Sequence, residues 1–154
     1  MKLETGQLAP DFTLQADSGK MVALSSLRGK KVVLYFYPKD DTPGCTQEAC
    51  DFRDHLDAYN KGNTVILGVS RDTVESHIRF RQKYSIPFPL LSDEIGRVCE
   101  AYGVWQSKTM MGKKFMGIVR STFLIDEAGV IRQIWTQVKV DGHIQDVLSK
   151  IKSA

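Results

Sequence analysis

Two of the chain's three cysteines lie in DDTPGCTQEAC, Asp40 to Cys50, five residues apart and just past an apolar run. Thiols do their chemistry as thiolates, which attack electrophiles or bind metals. The disulfide-exchanging Cys-x-x-Cys spacing is absent here. Thr42 suits a helix N-cap, and Pro43 then falls at the first helical position, where its missing N–H costs nothing. Cys45 becomes the third helical residue. Backbone N–H groups lack carbonyl partners there and the helix dipole is positive, so thiolate is favoured over thiol. Gly44 leaves room for a ligand to approach the backbone. The competing reading makes Cys45 a structural thiol, since it also lies on the apolar helix face. The Thr42 hydroxyl has two uses open to it, capping the helix or contacting a ligand beside the sulfur.

The interval to Cys50 is itself informative. In an intact helix, residues five apart have Cα atoms roughly 8–9 Å apart and point ~140° away from each other. A disulfide tolerates at most ~7 Å. Either Cys50 is an idle helix residue, or the first turns unwind. Cys99 falls on an apolar helix face and reads as structural. His55 and His77 fall mid-helix, and His143 reads as a first-turn surface residue. None has the Cys/His spacing of a zinc site, so neither metal nor cofactor is expected. A Gly-rich phosphate loop and a Ser/His/Asp constellation are also lacking.

These residues need elements to position them. Lys31 to Tyr37, KVVLYFY, is almost wholly apolar, β-branched and aromatic, as in a strand covered on both faces. Thr64 to Val69 reads likewise. Between them Cys45, Ala49, Phe52, Leu56 and Tyr59 recur at helical spacing, predicting one long helix. The result is a β-α-β unit with parallel strands and a right-handed crossover. Phe12 to Leu14 and Met21 to Leu24 flank a turn at residues 17–20, giving an N-terminal hairpin. Val74, Ile78, Phe80 and Tyr84 mark a helix that ends before the extended Ile86-Pro87-Phe88-Pro89. Ile95, Val98, Cys99 and Tyr102 mark a short one, with Asp93 as cap and Gly103 as stop. Ile118 to Ile125 and Val130 to Val138 form a second hairpin around Asp126 to Gly129. Ile144, Val147, Leu148 and Ile151 define a C-terminal helix. The expected fold is α/β and thioredoxin-like, a central mixed β-sheet flanked by helices with an N-terminal β-hairpin.

With 154 residues, residues 1–154 are read as a single domain. At 42% hydrophobic and 25% charged the chain falls in the ordinary globular class. A net charge of +3, from scattered basic residues, argues against a nucleic-acid partner. No apolar run approaches the ~18 residues of a membrane span. The start, MKLETGQLAPDF, has no apolar segment of the secretory kind. Three cysteines do not make a disulfide scaffold, so a cytoplasmic, reducing location is expected.

PKDDTPGC, Pro38 to Cys45, contains the Pro-x-x-x-Thr-x-x-Cys signature of the peroxiredoxins. It most resembles the bacterioferritin-comigratory, or peroxiredoxin Q, branch. The resemblance extends through FYPKDDTPGCTQEACDFRD, Pro87 to Asp93, Tyr102 to Trp105 and GIVRSTFLID at Gly117 to Asp126. It implies an atypical two-cysteine thiol peroxidase for antioxidant defence. The enzyme would reduce hydrogen peroxide and organic hydroperoxides, with electrons from thioredoxin or a similar dithiol.

By that resemblance Cys45 is the peroxidatic cysteine and Thr42 contacts the sulfur and the peroxide. Pro38 shields the pocket, and Arg120, in the later strand, fixes thiolate and peroxide. A guanidinium supplies fixed, permanently charged donors for such a site. Glu48, one turn after Cys45, orients Arg120 or is simply a solvated helix residue. Tyr37 lines the pocket or is core. The branch resolves the Cys45 sulfenic acid through a cysteine at the position of Cys50, after local unfolding, so an intramolecular Cys45–Cys50 disulfide is expected. It also implies a monomer, with a dimer as the alternative. Two other functions compete. A thioredoxin-like reductase would need the missing Cys-x-x-Cys. A non-enzymatic redox sensor or chaperone-like switch would use the helix-head cysteine but has no need of the threonine, proline and arginine.

Overall fold

Lys31–Phe36 forms the central strand, and its alternation of side chains creates the two cores of the molecule. The computed structural model describes residues 2–153. The strands are β1 (Thr13–Ala16), β2 (Met21–Ala23), β3 (Lys31–Phe36), β4 (Thr64–Ser70), β5 (Leu90–Ser92), β6 (Trp105–Met110), β7 (Lys113–Ile118), β8 (Ser121–Ile125) and β9 (Ile131–Trp135). The helices are α1 (Pro43–Asp54), α2 (Leu56–Lys61), α3 (Val74–Tyr84), α4 (Arg97–Ala101) and α5 (His143–Ser153), with a one-turn 3-10 helix at Leu24–Leu27. Seven strands make one mixed sheet in the order β2-β1-β5-β4-β3-β8-β9, while β6 and β7 pair apart from it. This is the α/β architecture expected, and β3 pairs parallel with β4 and antiparallel with β8.

Odd-numbered residues of β3 and its continuation, Val33, Tyr35 and Tyr37, pack with Cys45, Ala49 and Phe52 of α1, Phe80 of α3 and Ile144 and Val147 of α5. Even-numbered residues, Val32, Leu34 and Phe36, pack with Phe12, Leu91, Phe123 and, from α4 and its end, Val98, Cys99 and Tyr102. Burial on both faces follows from the unbroken apolar run. The parallel crossover puts the start of α1 at the carboxyl end of β3. The antiparallel register, Phe36 opposite Ser121, brings the residue before β8 to the same place.

Several expectations need correction. The single long helix is two, interrupted at His55, whose backbone (φ −111°, ψ 10°) leaves the helical region. Tyr59 remains buried beyond the break. The expected strand from Ile118 to Ile125 is also two, since β7 ends at Ile118 and β8 begins at Ser121. β7 instead turns back on β6 through Met111 and Gly112, both at positive φ, as a two-residue hairpin turn demands. Leu90–Ser92 is a strand, joining the N-terminal hairpin to β4. Ile95 and Ile78 are exposed rather than core, and the buried face of α3 is carried by His77 and Phe80. The N-cap of α4 is Gly96 rather than Asp93, although the Asp93 carboxylate still reaches the helix head, accepting from the N–H groups of Val98 and Cys99.

Candidate active site

Thr42 precedes α1 with extended backbone (φ −101°, ψ 155°), and its carbonyl accepts the first helical bond from Thr46 N at 2.8 Å. Its hydroxyl does not cap the helix. Oγ1 donates to the Lys39 carbonyl at 2.8 Å, which leaves the oxygen's lone pairs directed elsewhere. Pro43 occupies the first helical position, and Cys45 the third. Cys45, Glu48, Ala49 and Phe52 form the buried face of α1, the i, i+3, i+4, i+7 pattern of a helix against a sheet.

Arg120 meets this face from the segment between β7 and β8, not from within a strand. Its Nη2 donates to Cys45 Sγ at 3.5 Å, and its Nη1 to Glu48 Oε1 at 2.7 Å. The guanidinium thus bridges two residues one turn apart on α1. The ion pair with Glu48 is largely removed from water, with Glu48 fully buried and 16% of the Arg120 side chain exposed. Burial disfavours the charge on Arg120, but Glu48 and Cys45 outweigh it and raise its pKa. Burial pushes Glu48 up to about 7, against the opposing effect of Arg120.

Gly44 packs against the Arg120 guanidinium. A Cβ there would sit 2.9 Å from Arg120 Nη2, so the missing side chain makes room for the guanidinium. Pro38 is half-buried on the loop that leads from β3 to Thr42. Tyr37 is 1% exposed and points its hydroxyl not at Cys45 but at Asp40, donating to Oδ1 at 2.6 Å. The tyrosine coupled to the site is Tyr35, two residues earlier. Its pKa is raised by burial first, and then by Glu48 and Cys45.

Cys50 is half-buried, on the far side of α1, beside Asp41, Thr42, Thr46 and Tyr84. It and Cys45 are both free thiols, on an intact helix. Cys99 is a free thiol buried on the opposite face of the sheet. Burial, followed by Asp93, raises its pKa well above that of an ordinary thiol.

A second polar group was not foreseen. Asp40 Oδ2 lies 2.7 Å from His77 Nδ1 and accepts from Ser76 Oγ at 2.8 Å, while Asp40 N donates to Asp72 Oδ2 at 2.9 Å. His77 Nε2 lies 3.0 Å from the Leu91 carbonyl. Both ring nitrogens therefore face acceptors. Burial opposes charge on the ring, but Asp40 prevails and the His77 pKa is raised. Asp40, Asp72 and His77 bring ligand atoms within 4.8 Å of one another, yet each is already engaged with its neighbours. Next door, Asp41, at φ 57°, accepts from Lys83 Nζ at 2.8 Å and Tyr84 Oη at 2.7 Å. The loop ahead of Thr42 is thereby tied to α3 twice. His143 is also buried rather than on the surface. Its Nε2 lies 2.8 Å from Thr122 Oγ1, and burial lowers its pKa to about 4.

Residues 5–134 match the model of the AhpC/TSA family. A Coxiella burnetii protein of the bcp peroxiredoxin group is 56% identical over 151 residues, covering 98% of this chain and all of the relative. Peroxiredoxin Bcp of Bacillus subtilis is 49% identical over 152 residues, covering 99% and 97%. Among solved structures, a cysteine-to-serine variant of Xylella fastidiosa PrxQ superposes with a TM-score of 0.94 at 39% identity, covering 99% and 98%. The bacterioferritin comigratory protein of Xanthomonas campestris, described for its alkyl peroxide reduction activity, gives 0.88 at 44%, covering 92% and 90%. No helix among the described residues is long and apolar enough to cross a membrane. A helix-head cysteine held by a guanidinium, on a fold shared along nearly its whole length with these proteins, gives one conclusion: the chain belongs to the AhpC/TSA family, among its Bcp/PrxQ peroxiredoxins.

Proposed function

We propose that this peroxiredoxin reduces hydrogen peroxide and organic hydroperoxides through Cys45, with Cys50 as the resolving thiol and thioredoxin or a similar dithiol as the reductant. The observation that carries the reading is the Arg120 guanidinium spanning Cys45 Sγ and Glu48 Oε1. It puts fixed donors beside the sulfur, where a hydroperoxide's oxygens must lie in the transition state. Thr42 completes the cradle. Its proton is committed to Lys39, so its oxygen accepts from the substrate's O–H. Pro38 shields the pocket from water, and Glu48 and Gly44 fix the position of Arg120.

Attack gives Cys45 sulfenic acid and water or an alcohol. On the intact α1 the two thiols are too far apart to join, so resolution requires its first turns to unwind. Support comes from how that segment is held. It lacks a side-chain cap at Thr42, while the residues on either side are anchored. Asp40 and Asp41 are bound to α3, and beyond Cys50 Arg53 Nη1 donates to the Tyr84 carbonyl at 2.6 Å. Unwinding between such anchors is local, in the manner of low-stability foldons. A monomer suffices for this cycle, and a reducing cytoplasm suits it.

Steady-state hydroperoxide reduction with a thioredoxin system tests the reading. Cys45→Ser is expected to abolish consumption. Cys50→Ser is expected to spare the first turnover and impair recycling, and peptide mapping of the oxidised protein should give a Cys45–Cys50 disulfide. A Cys45–Cys99 bond or an intermolecular disulfide as the main product would overturn the assignment. A redox sensor would react once and fail to turn over.

A further inference from the structure

Glu48 and Cys45 lie three residues apart on one face of α1 and share one cation. Arg120 Nη1 is 2.7 Å from Glu48 Oε1, and Nη2 is 3.5 Å from Cys45 Sγ. Glu48 is fully buried, and its second oxygen, Oε2, has no hydrogen-bond partner among the described residues. A bare carboxylate oxygen away from water is costly, and such an orphan calls for a reason. Charge balance supplies one. With thiolate and carboxylate both ionised, the buried trio carries a net negative charge. With a proton on either acid, it is neutral.

We propose that Cys45 and Glu48 hold one proton between them, and that Glu48 delivers it to the oxygen that leaves when Cys45 cleaves a hydroperoxide. The proposal rests on Cys45 being the attacking thiol. When Cys45 is a thiolate, the proton sits on Glu48 Oε2, and the orphan acceptor becomes an O–H donor. Sγ attacks the distal oxygen of R–O–O–H. The S–O bond forms, the O–O bond breaks, and its electron pair leaves with the alkoxide. Sulfur keeps the O–H as sulfenic acid. Glu48 gives its proton to the alkoxide, forming R–OH, and remains as a carboxylate paired with Arg120. The trio is neutral before and after, so no charge is stranded in the core.

The surroundings agree. Burial sets Glu48 at about 7, with Arg120 opposing and Asp51 adding slightly, which suits a group that both holds and releases a proton at neutral pH. Tyr35 of β3 lies in the same core as Cys45, its hydroxyl likewise without a partner among the described residues, and burial first, then Glu48 and Cys45, raise its pKa, so it stays a neutral phenol. Lys108 from β6 and His143 from α5 are each shifted toward their neutral forms, by burial and with Arg120 contributing.

The test is single-turnover oxidation of the reduced protein by cumene hydroperoxide, followed by stopped flow and by infrared difference spectroscopy. A neutral-carboxyl C=O band, identified by its shift in deuterated water, should be present before oxidation and lost after it. Glu48→Gln should lack the band and slow the oxidation step by about 10²-fold, the usual weight of general acid catalysis, and Glu48→Asp should recover part of the rate. An unchanged carboxyl band in the wild-type protein would overturn the proposal, and needs no variant to fold. So would wild-type oxidation by Glu48→Gln with its fold intact by circular dichroism. Hydroperoxide consumption by Cys45→Ser would instead strike the underlying assignment of the attacking thiol.

Discussion

Cys45 and Cys99 share nearly everything a sequence can show. Each is the third residue of a helix, on its apolar face, and each is buried against the sheet, at 1% and 0% exposure. They differ in what faces the sulfur. Cys45 has a guanidinium, donating from Arg120 Nη2. Cys99 has a carboxylate, since Asp93 holds the head of α4 by accepting from the Cys99 N–H at 2.8 Å. Burial and Asp93 together hold Cys99 as a thiol. A helix head is thus common to both thiols. Under the proposed function the sign of the neighbouring charge separates them, and that charge arrives from a distant part of the chain for Cys45 and from Asp93, just ahead of the helix, for Cys99.

The contrast breaks most readily at Arg120. Arg120→Lys replaces a planar fork by a point charge, which cannot serve Cys45 and Glu48 at once. The rate of hydroperoxide reduction is expected to fall by about 10²-fold, as when one transition-state donor is lost. Gly44→Ala should act in the same direction but less, because a Cβ 2.9 Å from Nη2 displaces the guanidinium without removing it. Initial rates at saturating thioredoxin would measure both, and an unaffected Gly44→Ala would show that the close approach is not needed.

On the other face the expected effect is on stability rather than on turnover. Asp93→Ala removes two bonds to the head of α4 and should cost about 1 kcal/mol in urea denaturation, while peroxide turnover is unchanged. A drop in turnover would mean that the two faces are coupled. A further effect is on acid stability. His143 is held neutral by burial, at about 4, well below an exposed imidazole near 6.5. Between those values the unfolded chain binds the extra proton. Stability from this site is thus complete above about pH 6.5 and is lost as the pH falls toward 4. His143→Gln should flatten that limb of the stability-pH curve.

What the sequence revealed follows the range of the interactions concerned. The strand-helix-strand unit, both predicted hairpins and α5 were legible, because apolar periodicity and turn residues are local signals. Thr-Pro-Gly-Cys placed Cys45 for the same reason. The bridge from Arg120 to Glu48 joins residues 72 apart and could be anticipated only through family resemblance. The Asp40–His77 contact, 37 apart, had no local signal at all, since a loop aspartate and a mid-helix histidine are ordinarily solvated. His143 misled in the same way. The β6–β7 hairpin escaped because its strands are largely exposed and carry no alternation, and because its turn is Met111-Gly112 rather than Asn-Gly. Thr42 shows a finer limit. Its type fits a cap, but its hydroxyl turns back to Lys39, a choice set by the loop's geometry.

The central claim is that the charge facing each buried thiol decides which one reacts. Trapping the sulfenic acid with dimedone, after one equivalent of hydroperoxide, tests it directly when followed by peptide mass spectrometry on the Cys50→Ser protein. The account predicts the adduct on Cys45 and none on Cys99. Comparable labelling of Cys99, or labelling of Cys45 that is undiminished in Arg120→Gln, would contradict it.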